Sequence, residues 1–397
     1  MSSTPNWGKA PWRVSFRSKR TSLPGHVDVA IIGGGFTGLS AAAIAKRLAP
    51  QKSILLLEAD RIGNGASGRT GGMVLAESAA GNLPGLGNVI RGYKKILRNL
   101  HIRADLELPG VWEIARGRLS MEGKPVRPLP DSPIRWNDSG EVRAVKKVSG
   151  GSVDPGKVVS GLARAAKQAG ALIAENAKVV GIELGKPLRL HVSCKHHGRM
   201  QSKMITADRV LQSTNAGNLP GKYFEGEPKL TFALATAPLN KRQLATLGLA
   251  SGKPFYTVDI PYLWGRKLKN GGVVFGSGLV PAFGQSLSGK TSNQLWSGLE
   301  RESILRGAAS QRLRTLEHRV RQLHPALHKV RITHRWCGPI LLTRDFVPIF
   351  RHHPKSKNLV LLRGFSGHGV ALSVYLGEWA ALAVLGKRSL PKWHTGG

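Results

Sequence analysis

The sequence predicts an α/β protein in which a Rossmann-like nucleotide-binding domain with a parallel sheet is interrupted along the chain. The interruptions form a second, α+β domain with an antiparallel sheet. Residues 27–58 read as strand, glycine turn, helix, strand and acid, the order of a βαβ nucleotide-binding unit. Apolar runs at 209–214 and 359–362 read as further buried strands. The segments 230–239 and 272–279 alternate as antiparallel strands do.

The first glycine turn, residues 33–38, has glycine at the three positions where a dinucleotide-binding turn requires it. Gly33 makes the tight turn, Gly35 lets the backbone approach a pyrophosphate, and Gly38 lets the helix pack on the strand. The N-terminus of that helix offers N–H groups and a positive dipole end to phosphates. Glu58 lies where a carboxylate accepts the hydroxyls of an adenosine ribose, and it disfavours the 2′-phosphate of NADP.

A second stretch rich in Gly and Ala, residues 61–73, follows this acid directly. Such a composition is poor material for a helix or a strand and suits a backbone that lies against a flat ligand. Further along, Asp154 as N-cap and Pro155 in the first turn predict the start of a helix. An amphipathic helix is predicted over 370–385, directly after a third glycine-rich turn at 363–369.

The charge of the chain is strongly basic, with 59 Lys and Arg against 23 Asp and Glu and a net charge of +36. Such an excess attracts nucleic acid, anionic surfaces or acidic small molecules, so nucleic acid stays open as a partner. The basic residues are spread over the whole length instead of being clustered, which favours a generally basic composition over a dedicated binding site for an anionic partner. The two cysteines give no disulfide framework and favour a reducing cytoplasm.

The domain boundaries follow from where the composition changes. Residues 1–26 form a basic N-terminal arm anchored by Trp7, Trp12 and Phe16, without the apolar segment of a signal peptide. No transmembrane segment is expected. The predicted nucleotide domain comprises 27–92, 145–220 and 331–390, and the predicted substrate domain comprises 93–144 and 221–330.

The glycine turns, the 65–72 stretch and Thr343-Arg344-Asp345 before Pro348 resemble the D-amino-acid oxidase (DAO) superfamily of FAD-dependent amine and amino-acid oxidoreductases. The resemblance covers roughly residues 27–386. It is nearest to glycine- or sarcosine-oxidase-like and gamma-glutamylputrescine-oxidoreductase-like members. It implies a glutathione-reductase-like FAD domain.

The resemblance assigns the first turn to the ADP half of FAD and the 61–73 stretch to the pyrophosphate, the ribityl chain and the isoalloxazine. It places a backbone contact to adenine at Val179 and the last turn at the pyrimidine end of the flavin. The implied FAD-binding residues are Gly33, Gly35, Phe36, Thr37, Gly38, Glu58, Ala59, Ser67, Gly68, Arg69, Thr70, Gly71, Gly72, Met73, Val179, Asn215, Gly364, Gly367, His368, Gly369 and Val370. No metal site is expected.

The implied reaction is hydride transfer from the carbon next to an amine to flavin N5, followed by hydrolysis of the imine. The catalytic candidates are His368 and Arg266. His368 either contacts the substrate beside the flavin or only completes the turn. Arg266 either binds a substrate carboxylate through its planar fork or is a solvated arginine.

Two departures from the family pattern leave points open. Gly71-Gly72-Met73 and the strand 273–276 lack the basic residues that assist oxygen reduction in sarcosine-oxidase-like proteins, so the electron acceptor is oxygen, a quinone or a carrier protein. Cys337 precedes Thr343 by one residue more than in relatives that attach FAD covalently. We expect FAD to be bound non-covalently, with a link through Cys337 as the alternative.

The expected substrate is a small amine or amino acid. Two other functions stay open at this point. One is an FAD-dependent oxidoreductase acting on a carboxymethylaminomethyl group of transfer RNA, which the basic charge would suit. The other is a redox-inactive module that binds flavin or nucleic acid.

Overall fold

The computed structural model describes residues 5–18, 22–117, 125–196, 199–216, 226–281 and 292–393. The helices are α1 (Phe36–Leu48), α2 (Val89–Asn99), α3 (Pro155–Gln168), α4 (Lys241–Thr246), α5 (Ser292–Arg301), α6 (Gly307–Gln322) and α7 (Gly369–Val384). The strands are β1 (His26–Ile32), β2 (Ile54–Leu57), β3 (Met73–Leu75), β4 (Val111–Ala115), β5 (Arg135–Asn137), β6 (Glu141–Val148), β7 (Gly150–Ser152), β8 (Leu172–Ala174), β9 (Ala177–Glu183), β10 (Leu188–His196), β11 (Arg199–Gln212), β12 (Glu227–Thr236), β13 (Phe255–Thr257), β14 (Leu263–Lys267), β15 (Val273–Pro281), β16 (Ile332–Leu342), β17 (Ile349–His353) and β18 (Ser356–Arg363).

The first sheet has a parallel centre in which β18, β11, β1, β2 and β8 lie side by side. An antiparallel hairpin of β9 and β10 extends from β11, and β17 pairs antiparallel with β18. The strands of this centre come from three separated parts of the chain, as the sequence predicts. The unbroken apolar run of β2 is typical of a strand that is covered on both faces.

Helices α1, α3 and α7 cover one face of this sheet, and α2 packs against α7. A Cβ at Gly377 would lie 2.7 Å from Cβ of Ser40, so this glycine permits the close approach of α7 to α1. The hydroxyl of Ser40 donates to the carbonyl of Val374 at 2.8 Å. The two helices that carry the first and last glycine turns are therefore fixed against each other.

The predicted start of α3 is confirmed, because Asp154 accepts a hydrogen bond from the amide of Lys157 and Pro155 is the first helical residue. The predicted amphipathic character of α7 is wrong. This helix is buried nearly all round, because it packs against α1 and α2 and contacts strands of the first sheet. A helix that is surrounded by other elements is apolar on all sides instead of amphipathic.

The second sheet has the strand order β16-β12-β15-β14-β13-β4-β6-β5. Its pairs are antiparallel except for β13 with β4. One face is covered by a core that includes Phe232, Phe255 and Phe275 together with residues of α6. The antiparallel assignment of the segments 230–239 and 272–279 is confirmed.

Two of the predicted domain boundaries cut through structural elements, and a third separates a strand from the sheet to which it belongs. The boundaries at 92/93 and 144/145 fall inside α2 and β6. Strand β16 lies in the second sheet, whereas the sequence predicts residues 331–390 to be part of the nucleotide domain. The chain enters the first sheet again only at β17, because pairing with β12 holds β16 in the antiparallel sheet.

The described part of the N-terminal arm packs along β16. Trp7 and Phe16 are buried, and the amide of Cys337 donates to the carbonyl of Trp7 at 2.9 Å. The predicted aromatic anchoring of the arm is therefore seen for these residues. Among the described helices, none combines the length and the hydropathy that crossing a membrane requires.

Candidate cofactor and substrate cavity

A cavity of about 2000 Å³ lies between the two sheets. One end is lined by residues at the carboxyl ends of β1, β2 and β11, which is where open α/β sheets bind ligands. The other end is lined by residues of β12, β13, β14 and β15. The cavity therefore extends from the first glycine turn to the strands of the second sheet.

The first glycine turn has the close contacts that its glycines predict. Gly33 has a φ of +108°, and a Cβ there would lie 2.7 Å from the carbonyl oxygen of Ser213. A Cβ at Gly38 would lie 2.0 Å from the carbonyl oxygen of Gly33. The N-cap residue of α1 is Gly35, which has no side chain to cap the helix, so the N-terminus of α1 is suited to an anionic group.

Glu58 stands beside this turn at the end of β2. Its carboxylate accepts hydrogen bonds from the amides of Gly34 at 2.7 Å and Asp60 at 3.0 Å. Burial raises the pKa of Glu58, and these two hydrogen bonds act in the opposite direction. The amide of Ala177 donates to the carbonyl of Glu58 at 2.8 Å, which sets β9, and with it Val179, beside the acid.

The 61–72 loop is tied to both neighbouring units. The hydroxyl of Ser67 accepts a hydrogen bond from the amide of Phe36 at 2.9 Å, at the N-terminus of α1. The indole of Trp12 donates to the carbonyl of Gly68 at 2.8 Å, and the indole of Trp336 donates to the carbonyl of Arg69 at 2.8 Å. The loop is therefore held by the N-terminal arm and by the second sheet.

The side chain of Arg69 lines the cavity but is already engaged. Its guanidinium donates to the carbonyl of Gly8 at 2.8 Å and to two oxygen atoms of Asn64 at 3.1 Å. It also lies over the ring of Trp7, 5.5 Å from the centroid. Burial lowers the pKa of Arg69. These contacts make Arg69 a link between the arm and the loop.

The last glycine turn lies where α7 begins. Gly364 has a φ of +76°, and its amide donates to the side-chain oxygen of Asn215 at 3.1 Å. His368 is the N-cap of α7 and lines the cavity, with Nδ1 3.5 Å from the carbonyl oxygen of Ser366. Burial lowers the pKa of His368. The imidazole is therefore kept neutral at the positive end of the α7 dipole.

Most of the predicted FAD-binding residues line this one cavity. Those on its wall are Gly33, Gly35, Phe36, Thr37, Glu58, Ala59, Ser67, Arg69, Thr70, Gly71, Met73, Val179, Asn215, Gly367, His368, Gly369 and Val370. The remaining four are Gly38, Gly68, Gly72 and Gly364, and they lie behind the wall. At each of these four a Cβ would lie within 2.7 Å of a neighbouring atom, so they are needed for close packing.

Arg266 is not on the cavity wall. Its side chain is 7% exposed, its Nε donates to the carbonyl of Gly71, and its guanidinium lies 5.5 Å from the ring centroid of Trp12. Burial lowers the pKa of Arg266 to about 10. The structure brings it neither to a substrate carboxylate nor to solvent. Arg266 instead positions the 61–72 loop from behind.

Cys337 faces away from the cavity. Its neighbours in β16, Trp336 and Gly338, line the cavity, whereas Cys337 is buried in the core on the opposite face of the sheet. Burial raises the pKa of the thiol to about 12, so the nucleophilic thiolate is disfavoured. This placement favours non-covalent FAD.

Several residues that line the cavity are not among the site residues predicted from the sequence. They come from the N-terminal arm and from the second sheet, and they include Trp7, Tyr256, Tyr262, Trp264 and Trp336. No motif marks them, and only the frequency of tryptophan in the chain is a hint. Within the described ranges, no group of three or more His, Cys, Asp or Glu is arranged to hold a metal ion.

Comparison with known proteins agrees with this geometry. Residues 28–383 match the family described as DAO, FAD dependent oxidoreductase. A probable oxidoreductase OrdL of Rhizobium meliloti is 27% identical over 402 residues, which cover 92% of this chain and 85% of that protein. Gamma-glutamylputrescine oxidoreductase of Escherichia coli is 24% identical over 398 residues, which cover 89% of this chain and 82% of that protein.

Among solved structures, glycine oxidase from Geobacillus kaustophilus has a TM-score of 0.66 at 19% identity, covering 92% of this chain and 96% of that chain. This similarity shows the fold. The glycine turns and the half-buried Glu58 fit the ADP half of FAD, and the cavity continues far enough to reach the start of α7. The chain belongs to the DAO family of FAD-dependent oxidoreductases, and FAD is its cofactor.

Proposed function

We propose that this oxidoreductase oxidises the C–N bond of an amine or amino acid. In this reaction a hydride passes from the carbon next to nitrogen to flavin N5, and water converts the resulting imine to a carbonyl compound and a free amine. The relatives named above support the substrate class. The observation that carries the proposal is one cavity that joins the Gly33 turn, the start of α7 and an aromatic floor.

The residues of the chain contribute position and electrostatics, and FAD supplies the two-electron acceptor when it is bound. The N-terminus of α7 opens into the cavity at Gly367 and Gly369, where its dipole favours developing negative charge. Neutral His368 adds no fixed charge there. The apolar rings of Trp264 and Trp336 disfavour an ammonium ion and so favour the neutral amine that hydride transfer requires.

We further propose that the unit built on the first sheet holds FAD and that the second sheet supplies the substrate floor. The FAD-binding residues named above are part of this proposal. The proposed electron acceptor is oxygen or a quinone. The two free cysteines fit a cytoplasmic location.

An anaerobic titration tests the proposal. The purified yellow protein is mixed with a panel of amines and amino acids while the flavin absorbance is followed, and then with air or a soluble quinone. Bleaching by an amine and recovery with an acceptor are expected. A flavin that no member of the panel bleaches would contradict amine oxidation. Retention on RNA at low salt would then favour the transfer-RNA alternative.

Acid denaturation of the same preparation tests how FAD is held. Because Cys337 faces the core, we expect all of the flavin in the supernatant. Flavin that precipitates with the protein, but not with a Cys337→Ala variant, would show a covalent link.

A further inference from the structure

One row of side chains crosses the second sheet on the face turned towards the cavity. Residues directly opposite in paired strands share a face of the sheet, and the registers of five strand pairs connect six residues. In spatial order the row is Glu113, Tyr256, Trp264, Gly276, Ala233 and Trp336. Four of them, Tyr256, Trp264, Ala233 and Trp336, line the cavity.

The middle of this row is flat and apolar because its small residues leave room for an indole. A Cβ at Gly276 would lie 2.0 Å from Cζ2 of Trp264, so the indole covers that glycine. The same ring also touches Gly71 of the 61–72 loop, where a Cβ would lie 2.1 Å from Cζ3. An uncharged group packs well against such a surface, as the neutral form of the reacting amine would.

The end of the row is polar. The phenol of Tyr256 donates its hydrogen to a carboxylate oxygen of Glu113 at 2.5 Å. A tyrosine has one O–H donor, so the oxygen that it presents to the cavity can only accept. A charged acceptor such as Glu113 strengthens the bond and makes the phenol oxygen more negative. This oxygen therefore suits an N–H donor and repels a carboxylate.

The titration of Tyr256 agrees with this geometry. Burial, the hydrogen bond to Glu113 and the negative charges of Glu113 and Glu77 all raise the pKa of Tyr256. The phenol therefore keeps its proton over the physiological range. The two acids each add a negative contribution to the electrostatic potential at its oxygen.

The described wall of the cavity offers no free cation near this phenol. Its basic side chains are Lys178, beside Val179 at the adenosine end, Arg69, which is tied to Asn64 and Gly8, and His368, which is neutral. Two further arginines lie behind the 258–262 loop and off the wall, and carboxylates already pair with both. They are Arg116, paired with Asp138 and Asp259, and Arg319, paired with Asp138.

We propose that Tyr256, positioned by Glu113, binds the distal ammonium of a substrate whose reacting nitrogen lies near Trp264. This inference rests on the proposed amine oxidation and narrows the substrate class to aliphatic amines with a second cationic end. Amino acids whose second end is a free carboxylate are disfavoured at this site. Tyr256 is then the residue that determines specificity, and Glu113 is a positioning residue.

Two probes of equal length test this assignment on the holoenzyme, because 1,4-diaminobutane and 4-aminobutanoate differ only in the distal group. Binding is measured anaerobically from the concentration dependence of flavin reduction. If neither probe reduces the flavin, binding is measured from the shift of the oxidised flavin spectrum. Failure of catalysis is thereby separated from failure of recognition.

The wild-type protein is expected to bind the diamine at least about tenfold more tightly than the amino acid. Tyr256→Phe should bring this ratio close to one, and Glu113→Gln should lower it while the flavin reduction rate at saturation changes little. Tyr375→Phe is the matched control, because its phenol donates to the carbonyl of Leu86 at 2.7 Å outside the cavity wall. Equal binding of both probes, a spectrum that neither perturbs, or an unchanged ratio in Tyr256→Phe would overturn the proposal.

Discussion

The indole of Trp264 rests directly on the backbone of Gly71, where a Cβ would come within 2.1 Å of the ring. From the same strand, Nε of Arg266 donates to the carbonyl of Gly71. Strand β14 therefore contacts this residue of the 61–72 loop both through a ring and through a hydrogen bond. The placement of a loop next to the cofactor site thus depends on the sheet of the other unit.

Gly71→Ala should destabilise the protein by about 1–3 kcal/mol, because the added methyl group forces Trp264 out of a packed position. The free energy of unfolding is measured in urea with FAD at saturation. Gly25→Ala is the matched control, since a Cβ at Gly25 meets nothing within 4 Å. Equal stability of the two variants would show that the ring moves freely.

Trp12→Phe should weaken FAD binding about fivefold, because it removes the hydrogen bond to Gly68 that helps to hold the 61–72 loop, a contribution of about 1 kcal/mol. The dissociation constant is measured by titrating the FAD-free protein with FAD. Trp393→Phe loses a comparable bond to the carbonyl of Pro84, away from the cavity, and should bind FAD as the wild type does. A similar weakening in both variants would argue against a specific role for the arm.

Asp138→Asn should destabilise the protein by about 3 kcal/mol, because it leaves two nearly buried arginines short of a carboxylate. The guanidinium groups of Arg116 and Arg319 also donate to the carbonyl of Pro261, so the 258–262 loop on the cavity wall should loosen. Urea unfolding measures the loss of stability. A higher KM for the amine would report the loosening of the 258–262 loop.

The control for this substitution is Asp105→Asn. Asp105 pairs at the surface with Lys157 and Lys269, whose side chains are 49% and 66% exposed, so loss of the carboxylate should cost about 1 kcal/mol. A change in FAD affinity, with the amine KM unaffected, would contradict the placement of the Asp138 network on the substrate side.

His368 should make the stability of the protein depend on pH below neutrality. Burial lowers its pKa in the folded state below the ordinary value of 6.5, so the unfolded chain binds more protons in this range. The contribution of neutral His368 to the free energy of unfolding is then fully present above pH 6.5. It is lost as the pH falls from 6.5 towards the pKa of the folded state. His368→Asn should flatten this part of the curve.

Urea unfolding of both proteins between about pH 8 and pH 5, with saturating FAD, measures the effect. His324 and His334, whose pKa values burial also lowers, are present in both proteins and cancel in the comparison. Parallel curves for the wild type and the variant would mean that His368 is accessible to protons in the folded state.

The parts of the fold that the sequence predicted well are those formed by neighbouring residues. The β1–α1–β2 unit, its glycine turn and the N-cap at Asp154 depend on contacts within a few turns of chain. The buried character of α7 was missed because the neighbours that bury it come from distant parts of the chain. The sheet to which β16 belongs was missed because pairing with β12 decides it.

The same holds for the candidate site, where local features are predictable and the orientation of side chains is not. The neighbouring residues in sequence place Arg266 among aromatic residues, but a hydrogen bond to Gly71, 195 residues away in sequence, sets the orientation of its side chain. Cys337 faces the core because of the alternation of β16, and a shift of one residue in register would turn it towards the cavity. Neither direction can be inferred from spacing along the chain.

The amino-acid sequence by itself determined that the chain binds a dinucleotide, because glycines at fixed intervals and a following acid are local requirements of a phosphate-binding turn. The tertiary structure alone decided which side chains from distant parts of the chain meet beside the cavity. Glu113 and Tyr256 lie 143 residues apart, and only the register between β4 and β13 makes them partners. Such registers are fixed by the packing of whole sheets, which no short stretch of residues encodes.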